Sequence, residues 1–110
     1  MEVSQASIDG MYSKMAQNGW DTFGRLKWSY CFMASQEHAL ELIFRKIADS
    51  KYQLESLEQA DDEDGGWTMC VSMVEILPAD KLFRRCDAFN DLADEYGALF
   101  DGWDVEQVAR

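Results

Sequence analysis

Between Arg25 and Met33 the hydrophobic pattern has a period of two: Leu26, Trp28, Tyr30 and Phe32 share one face, and Lys27, Ser29, Cys31 and Met33 share the other. A strand with so large an apolar face must belong to a sheet covered by another layer. The flanking segments supply that layer. Upstream, Ile8, Met11, Tyr12 and Met15 recur at helical spacing, and Gly19 is a stop, which predicts an amphipathic helix over about residues 7–18. Downstream, Ser35 is a suitable N-cap for a helix carrying Ala39, Leu42, Ile43 and Ile47 and ending near Asp49 and Ser50.

The strand–helix pair then recurs in altered form. Tyr52 to Gln59 reads as a weaker strand, and the acidic run Ala60-Asp61-Asp62-Glu63-Asp64-Gly65-Gly66 reads as a hairpin turn. In the strand after it, Trp67, Met69, Val71 and Met73 alternate with Thr68, Cys70, Ser72 and Val74. Pro78 suits the first turn of a helix whose stripe is Leu82, Cys86, Phe89, Leu92, Ala93 and Tyr96, and Gly97 ends it. Residues 98–108 close the chain as a strand around Phe100, Trp103 and Val105, with a bulge expected at Gly102. The order α-βαββαβ predicts an α+β fold: a ferredoxin-like βαββαβ sandwich over about 25–108 with an added N-terminal helix. Right-handed crossovers give an antiparallel four-stranded sheet of order 4-1-3-2. At 110 residues and 47% hydrophobic content the chain is expected to form one domain over 1–110.

Charge narrows the function. The net charge is −11, which repels phosphate backbones and argues against direct nucleic-acid binding. Residues 1–50 hold 6 acids and 5 bases, net −1, whereas residues 51–110 hold 15 acids and 5 bases, net −10. In the predicted topology the hairpin turn and the end of the last helix lie at one end of the sheet. Asp61, Asp62, Glu63 and Asp64 then share a pole with Asp91, Asp94 and Glu95. Acids at a helix C-terminus oppose the macrodipole, and no Lys or Arg occurs between Arg85 and Arg110. Two readings stand for these acids, a solubilising surface or a contact surface for a basic partner. Trp103, beside Asp101-Gly102, is the candidate exposed aromatic anchor of such a surface.

Other chemistries find little support. The Asp61–Gly66 run fails the calcium-loop register, because Gly65 falls at the fifth position and Ser72 at the twelfth, where a bidentate Glu is needed. No metal or cofactor is expected. The single histidine, His38, reads as a capping or surface residue with no nucleophile near it, and there is no phosphate-binding glycine loop, so no enzymatic activity is expected. Gly66 to Val71 is similar to an RNA-recognition-motif strand, but lacks the leading base and has an acidic approach. Trp67, Met69 and Val71 are read as core facing the helices. Cys31, Cys70 and Cys86 form an odd set without CxxC spacing and are expected to be reduced core residues. No apolar run approaches a membrane span and the N-terminus lacks a signal pattern, so the cytoplasm is the expected compartment.

Two segments carry a family resemblance: Leu92-Ala93-Asp94-Glu95-Tyr96-Gly97, and Phe100-Asp101-Gly102-Trp103-Asp104-Val105-Glu106. With Gly65-Gly66-Trp67-Thr68-Met69 and the Met73–Pro78 stretch, the chain resembles the RraB family of ribonuclease E regulators over about residues 8–108. The resemblance implies a ferredoxin-like bacterial cytoplasmic protein. It would bind ribonuclease E, chiefly its non-catalytic scaffold region, and thereby inhibit RNA processing and decay without a cofactor or a reaction of its own. The alternative is an immunity protein or antitoxin neutralising a basic nuclease or other toxin. A third reading, an enzyme using buried carboxylates, requires a deep pocket holding at least two acids of raised pKa. The sequence leaves open the oligomeric state and what covers the second face of the sheet.

Overall fold

The computed structural model describes residues 4–47, 51–59 and 65–108. Seven elements follow one another: α1 (Gln5–Gln17), β1 (Leu26–Ala34), α2 (Glu37–Ile47), β2 (Gln53–Gln59), β3 (Trp67–Glu75), α3 (Ala79–Glu95) and β4 (Leu99–Gln107). The boundaries follow local chemistry. Ser4 caps α1 by accepting a hydrogen bond from the Ser7 N–H at 3.2 Å, and Gly19 follows the helix at φ 82°, a conformation that suits glycine. Pro78 sits at the N-cap of α3, one position earlier than its fixed φ would also allow, and Ala79 takes the first helical position. The expected end of α2 near Asp49 and Ser50 lies outside the described residues.

The four strands form one antiparallel sheet in the order β2-β3-β1-β4. Read from the other edge this is the expected 4-1-3-2. The central pair is continuous over nine positions, from Leu26 opposite Glu75 to Ala34 opposite Trp67. The register between β1 and β4 shifts between Cys31 and Phe32, which face Gly102 and Phe100, so Asp101 is the extra residue. This is the bulge expected at Gly102, whose φ of 125° suits glycine. A second shift separates Leu54 from Ser56 on β2.

All three helices lie on one face. Leu26, Trp28, Tyr30 and Phe32 of β1 and Met69 and Val71 of β3 are buried with Leu40 and Ile43 of α2 and Leu82, Cys86 and Phe89 of α3. The centre of this core is aromatic: the Phe89 ring lies 5.0 Å from Tyr30 and 5.3 Å from Phe32, both edge-on. α1 joins the same layer through buried Ile8 and Met15, and Tyr12 stacks on Trp28 at 5.7 Å. The Tyr12 hydroxyl donates to the Leu77 carbonyl, tying α1 to the entry of α3. Met11, expected on the buried stripe, lies at its margin and is exposed.

No described helix covers the opposite face of the sheet, and that face corrects the cysteine expectation. Cys31 and Cys70 are not reduced core residues. They point away from the helices, stand directly opposite one another on β1 and β3, and form a disulfide. Only Cys86 is a buried free thiol, as expected.

Candidate protein-binding site

One end of the sheet collects the last residues of β1, β2 and α3 and the first residues of α2, β3 and β4. The strand pairs fix this: Gln59 faces Trp67, Ala34 faces Trp67 across the other side, and Leu99 faces Met33. α3 must end here because Gly97, at φ 70°, turns the chain directly into β4. The Ala98 N–H donates to the Ala93 carbonyl at 2.8 Å and the Gly97 N–H to that of Asp94 at 3.2 Å, which closes the helix. Ala93 and Phe89 face the core, so Asp91, Asp94 and Glu95 are turned outward and are exposed.

Further acids belong to the same end: Glu37 in the first turn of α2, Glu58 near the close of β2 and Asp101 at the bulge of β4. The described bases lie elsewhere. Arg25, Lys27 and Lys51 stand at the starts of β1 and β2, Arg45 and Lys46 in the last turn of α2, and Lys14 in the last turn of α1. Lys81, Arg84 and Arg85 occupy the first two turns of α3. Those bases stand among Asp21, Glu55, Glu75, Asp80 and Glu106, so what sets the first end apart is that no described Lys or Arg belongs to it. The opposite end also exposes Phe23 and Ile76, at 87% and 57%.

Of the predicted site residues, Asp91, Asp94 and Glu95 are brought together. Asp61, Asp62, Glu63 and Asp64 lie outside the described residues; Gln59 and Trp67, which flank their segment, are paired at this end. Trp103 does not join them. It pairs with Tyr30 in mid-strand, lies on the helix side half-buried, and its ring is 5.9 Å from that of Trp28. Strict alternation from Phe100 would put Trp103 on the opposite face, and the bulge at Asp101 moves it onto the buried one. It is a packing residue rather than an exposed anchor.

Two polar networks escaped the sequence reading. Between α3 and the sheet, Arg85 makes a bidentate ion pair with Glu75 at 2.5 and 3.1 Å, donates to the Tyr30 hydroxyl at 3.2 Å, and lies over the Tyr30 and Tyr52 rings. Partial burial alone would lower the Arg85 pKa, but the bonds to Glu75 and Tyr30 outweigh it and hold the guanidinium above its ordinary value. Burial drives the Tyr30 and Tyr12 hydroxyls up and pushes Tyr52 to about 12. Arg85 follows Leu82 by one helical turn, so its place beside the core was the only sequence signal.

On the open face, Lys27 bridges Glu55 at 3.0 Å and Glu106 at 3.4 Å, and Glu55 accepts a hydrogen bond from Ser72. The bonds from Ser72 and then Lys27 lower the Glu55 pKa, and those to Glu55 and then Glu106 raise that of Lys27. The ladder spans all four strands. It depends on long-range register, which no local pattern reveals.

The carboxylate-enzyme reading asks for a pocket with at least two acids. A depression of about 420 Å³ beside the start of β1 has Asp21 as its sole acid, and one of about 240 Å³ beside α2 has only Glu41. His38 lies on the surface, 3.8 Å from Glu41. Among the described residues no group of three or more His, Cys, Asp and Glu could hold a metal ion, and no helix is long and apolar enough to cross a membrane.

A family model described as RraB, Regulator of ribonuclease activity B, matches residues 6–105, from the first turn of α1 to the seventh residue of β4. Comparison with curated proteins finds no match for this chain.

Proposed function

The chain belongs to the RraB family of regulators of ribonuclease activity, and on that premise we propose that it binds ribonuclease E, or its scaffold region, through the acidic end of the sheet. Binding there modulates RNA processing and decay in the bacterial cytoplasm without a reaction of the chain's own. The contact surface comprises Asp91, Asp94 and Glu95 at the end of α3, with Asp61, Asp62, Glu63 and Asp64 from the connection between β2 and β3. The ferredoxin-like assignment of the core belongs to the same reading, supported by the element order and by the neighbours of each strand.

The observation that carries the proposal is a cluster of acids at an end to which no described Lys or Arg belongs. Acids of α2, β2, α3 and β4 meet at one end, while the described bases lie on the other parts of the molecule. Such a field steers and orients a basic segment, such as the RNA-binding stretches of a ribonuclease scaffold, and is weakened by salt. Immobilised ribonuclease E scaffold is expected to retain the protein at micromolar concentration and to release it as ionic strength rises. Absence of salt-sensitive retention would overturn the choice of partner. Asp61→Lys, Asp62→Lys and Asp64→Lys together are expected to reduce retention about tenfold or more; unchanged retention moves the contact to another surface. Retention by a basic toxin of the same cell but not by the scaffold would instead support the immunity-protein reading.

A further inference from the structure

The uncovered face of the sheet carries its own chemistry. Across its middle, each strand contributes one residue to a single row: Ser56 on β2, Cys70 on β3, Cys31 on β1 and Gly102 on β4. The two central members are the disulfide, with their Cα atoms 4.2 Å apart. Its neighbours within the row are a serine and a glycine, and both cysteines are partly exposed. At φ 125° the β4 position favours glycine, so no side chain from β4 stands beside the disulfide in this row.

We propose that Cys31 and Cys70 form a reversible thiol–disulfide exchange site that reacts with low-molecular-weight thiols and disulfides, cationic ones in preference to anionic ones.

Reversibility follows from the sheet. β1 and β3 are paired over nine positions, so the bond between their cysteines is not what sets the register, and breaking it requires no strand to move. After reduction the two thiols remain opposite one another, which makes re-formation effectively intramolecular. The reaction balances in two steps. An incoming thiolate attacks one sulfur, forming a mixed disulfide and releasing the other cysteine as thiolate. A second incoming thiolate then attacks the mixed disulfide at the small-molecule sulfur, releasing the first cysteine and a disulfide of the reagent, so two electrons pass to the protein. Cys86 takes no part: it lies on the opposite side of the sheet, fully buried, and burial pushes its thiol up to about 11.

Charge selection follows from the neighbouring rows, about 7 Å away along the strands. One holds Asp104 beside Ser29, and the other Glu58 beside Thr68. The only base of this face among the described strand residues, Lys27, is engaged by both Glu55 and Glu106. The charges of the two rows next to the sulfurs are thus Asp104 and Glu58, both negative, while Lys27 with its two glutamates and Lys51 lie farther along the face, beside Ser72 and Val74; the negative balance next to the disulfide favours a cationic approach. The inference stands independently of any ribonuclease partner.

The test uses the full chain under native conditions in cysteamine/cystamine buffers, with thiols trapped by alkylation and located by mass spectrometry. Cys31 and Cys70 are expected to interconvert between dithiol and disulfide without denaturant, while Cys86 is alkylated only after unfolding, and circular dichroism is the same in both forms. At equal thiolate concentration and low ionic strength, cysteamine is expected to reduce the pair about tenfold faster than mercaptoethanesulfonate, with the gap closing in salt. In Cys70→Ser, Cys31 is expected to accumulate one mixed disulfide per molecule. Exchange that requires denaturant, or a fold lost on reduction, would overturn the site; equal rates for the two thiols at low salt would overturn its charge preference.

Discussion

Replacing Asp94 and Glu95 by lysine is expected to make the fold more stable. Both residues occupy the last turn of α3, which contains no base, and both are exposed. Each negative charge there faces the negative end of the helix macrodipole at a cost of about 0.3–1 kcal/mol. Reversal removes the repulsion and substitutes an attraction of similar size, so the pair together contributes about 2 kcal/mol. In a chain of 110 residues that corresponds to a rise in Tm of about 8 °C, taking about 4 °C per kcal/mol. Thermal unfolding of the double variant at low ionic strength measures it, and repetition in about 0.5 M salt should remove more than half of the gain, because the Debye length is then well below 10 Å. A neutral or lowered Tm, or a gain insensitive to salt, would refute the electrostatic account of this helix end. The same variant is expected to bind a basic partner less well. Opposite signs for stability and binding would identify acids kept for contact at the expense of the fold.

High pH should unfold the protein before its peptide chemistry fails. Tyr12, Tyr30 and Tyr52 have folded pKa values above the unfolded value of about 10, that of Tyr52 being about 12, so the fold requires their neutral forms. The stability they provide is complete below about pH 10 and is lost as pH rises towards the folded values; urea midpoints that stay flat between about pH 10 and 12 would contradict this. Arg85→Met should cost about 3 kcal/mol by leaving Glu75 half-buried without its partner, whereas Arg85→Met with Glu75→Leu should recover most of the loss in the same urea titration. Phe89→Ala should cost about 3–5 kcal/mol, since its buried ring contacts Tyr30, Phe32, Tyr52 and Phe100, and a smaller loss would mean the aromatic cluster collapses into the gap.

The fold was legible wherever one face of an element is buried against one partner layer. The alternation of Leu26, Trp28, Tyr30 and Phe32 placed β1, and the stripe of Leu82, Cys86 and Phe89 placed α3, because burial imposes its period on the sequence. Features that depend on which strand lies beside which were not legible. The Cys31–Cys70 bond needs the β1–β3 register, and the Lys27 ladder needs positions on β2 and β4 at once. Trp103 was misjudged for a related reason: its neighbours Asp101 and Gly102 look like a surface turn, but the bulge they form returns the next side chain to the core. The acids of α3 were legible because a helix end without bases violates the usual charge rule without a packing reason.

Amount of charge and place of charge remain to be separated, since a net charge of −11 would attract any basic segment to some extent. The fold offers a way to hold one constant while changing the other. Asp94→Asn and Glu95→Gln remove two negative charges from the acidic end, and Gln53→Glu and Gln107→Glu, at the start of β2 and the end of β4, restore them at the opposite end. All four positions are exposed, so none of the changes disturbs packing. If orientation by the acidic end drives association, the relocated variant should bind the ribonuclease E scaffold several-fold more weakly than the parent at low ionic strength, with most of the loss in the association rate. Equal binding by the two proteins would mean that net charge alone attracts the partner, and the end of α3 would then be surface that keeps the protein soluble.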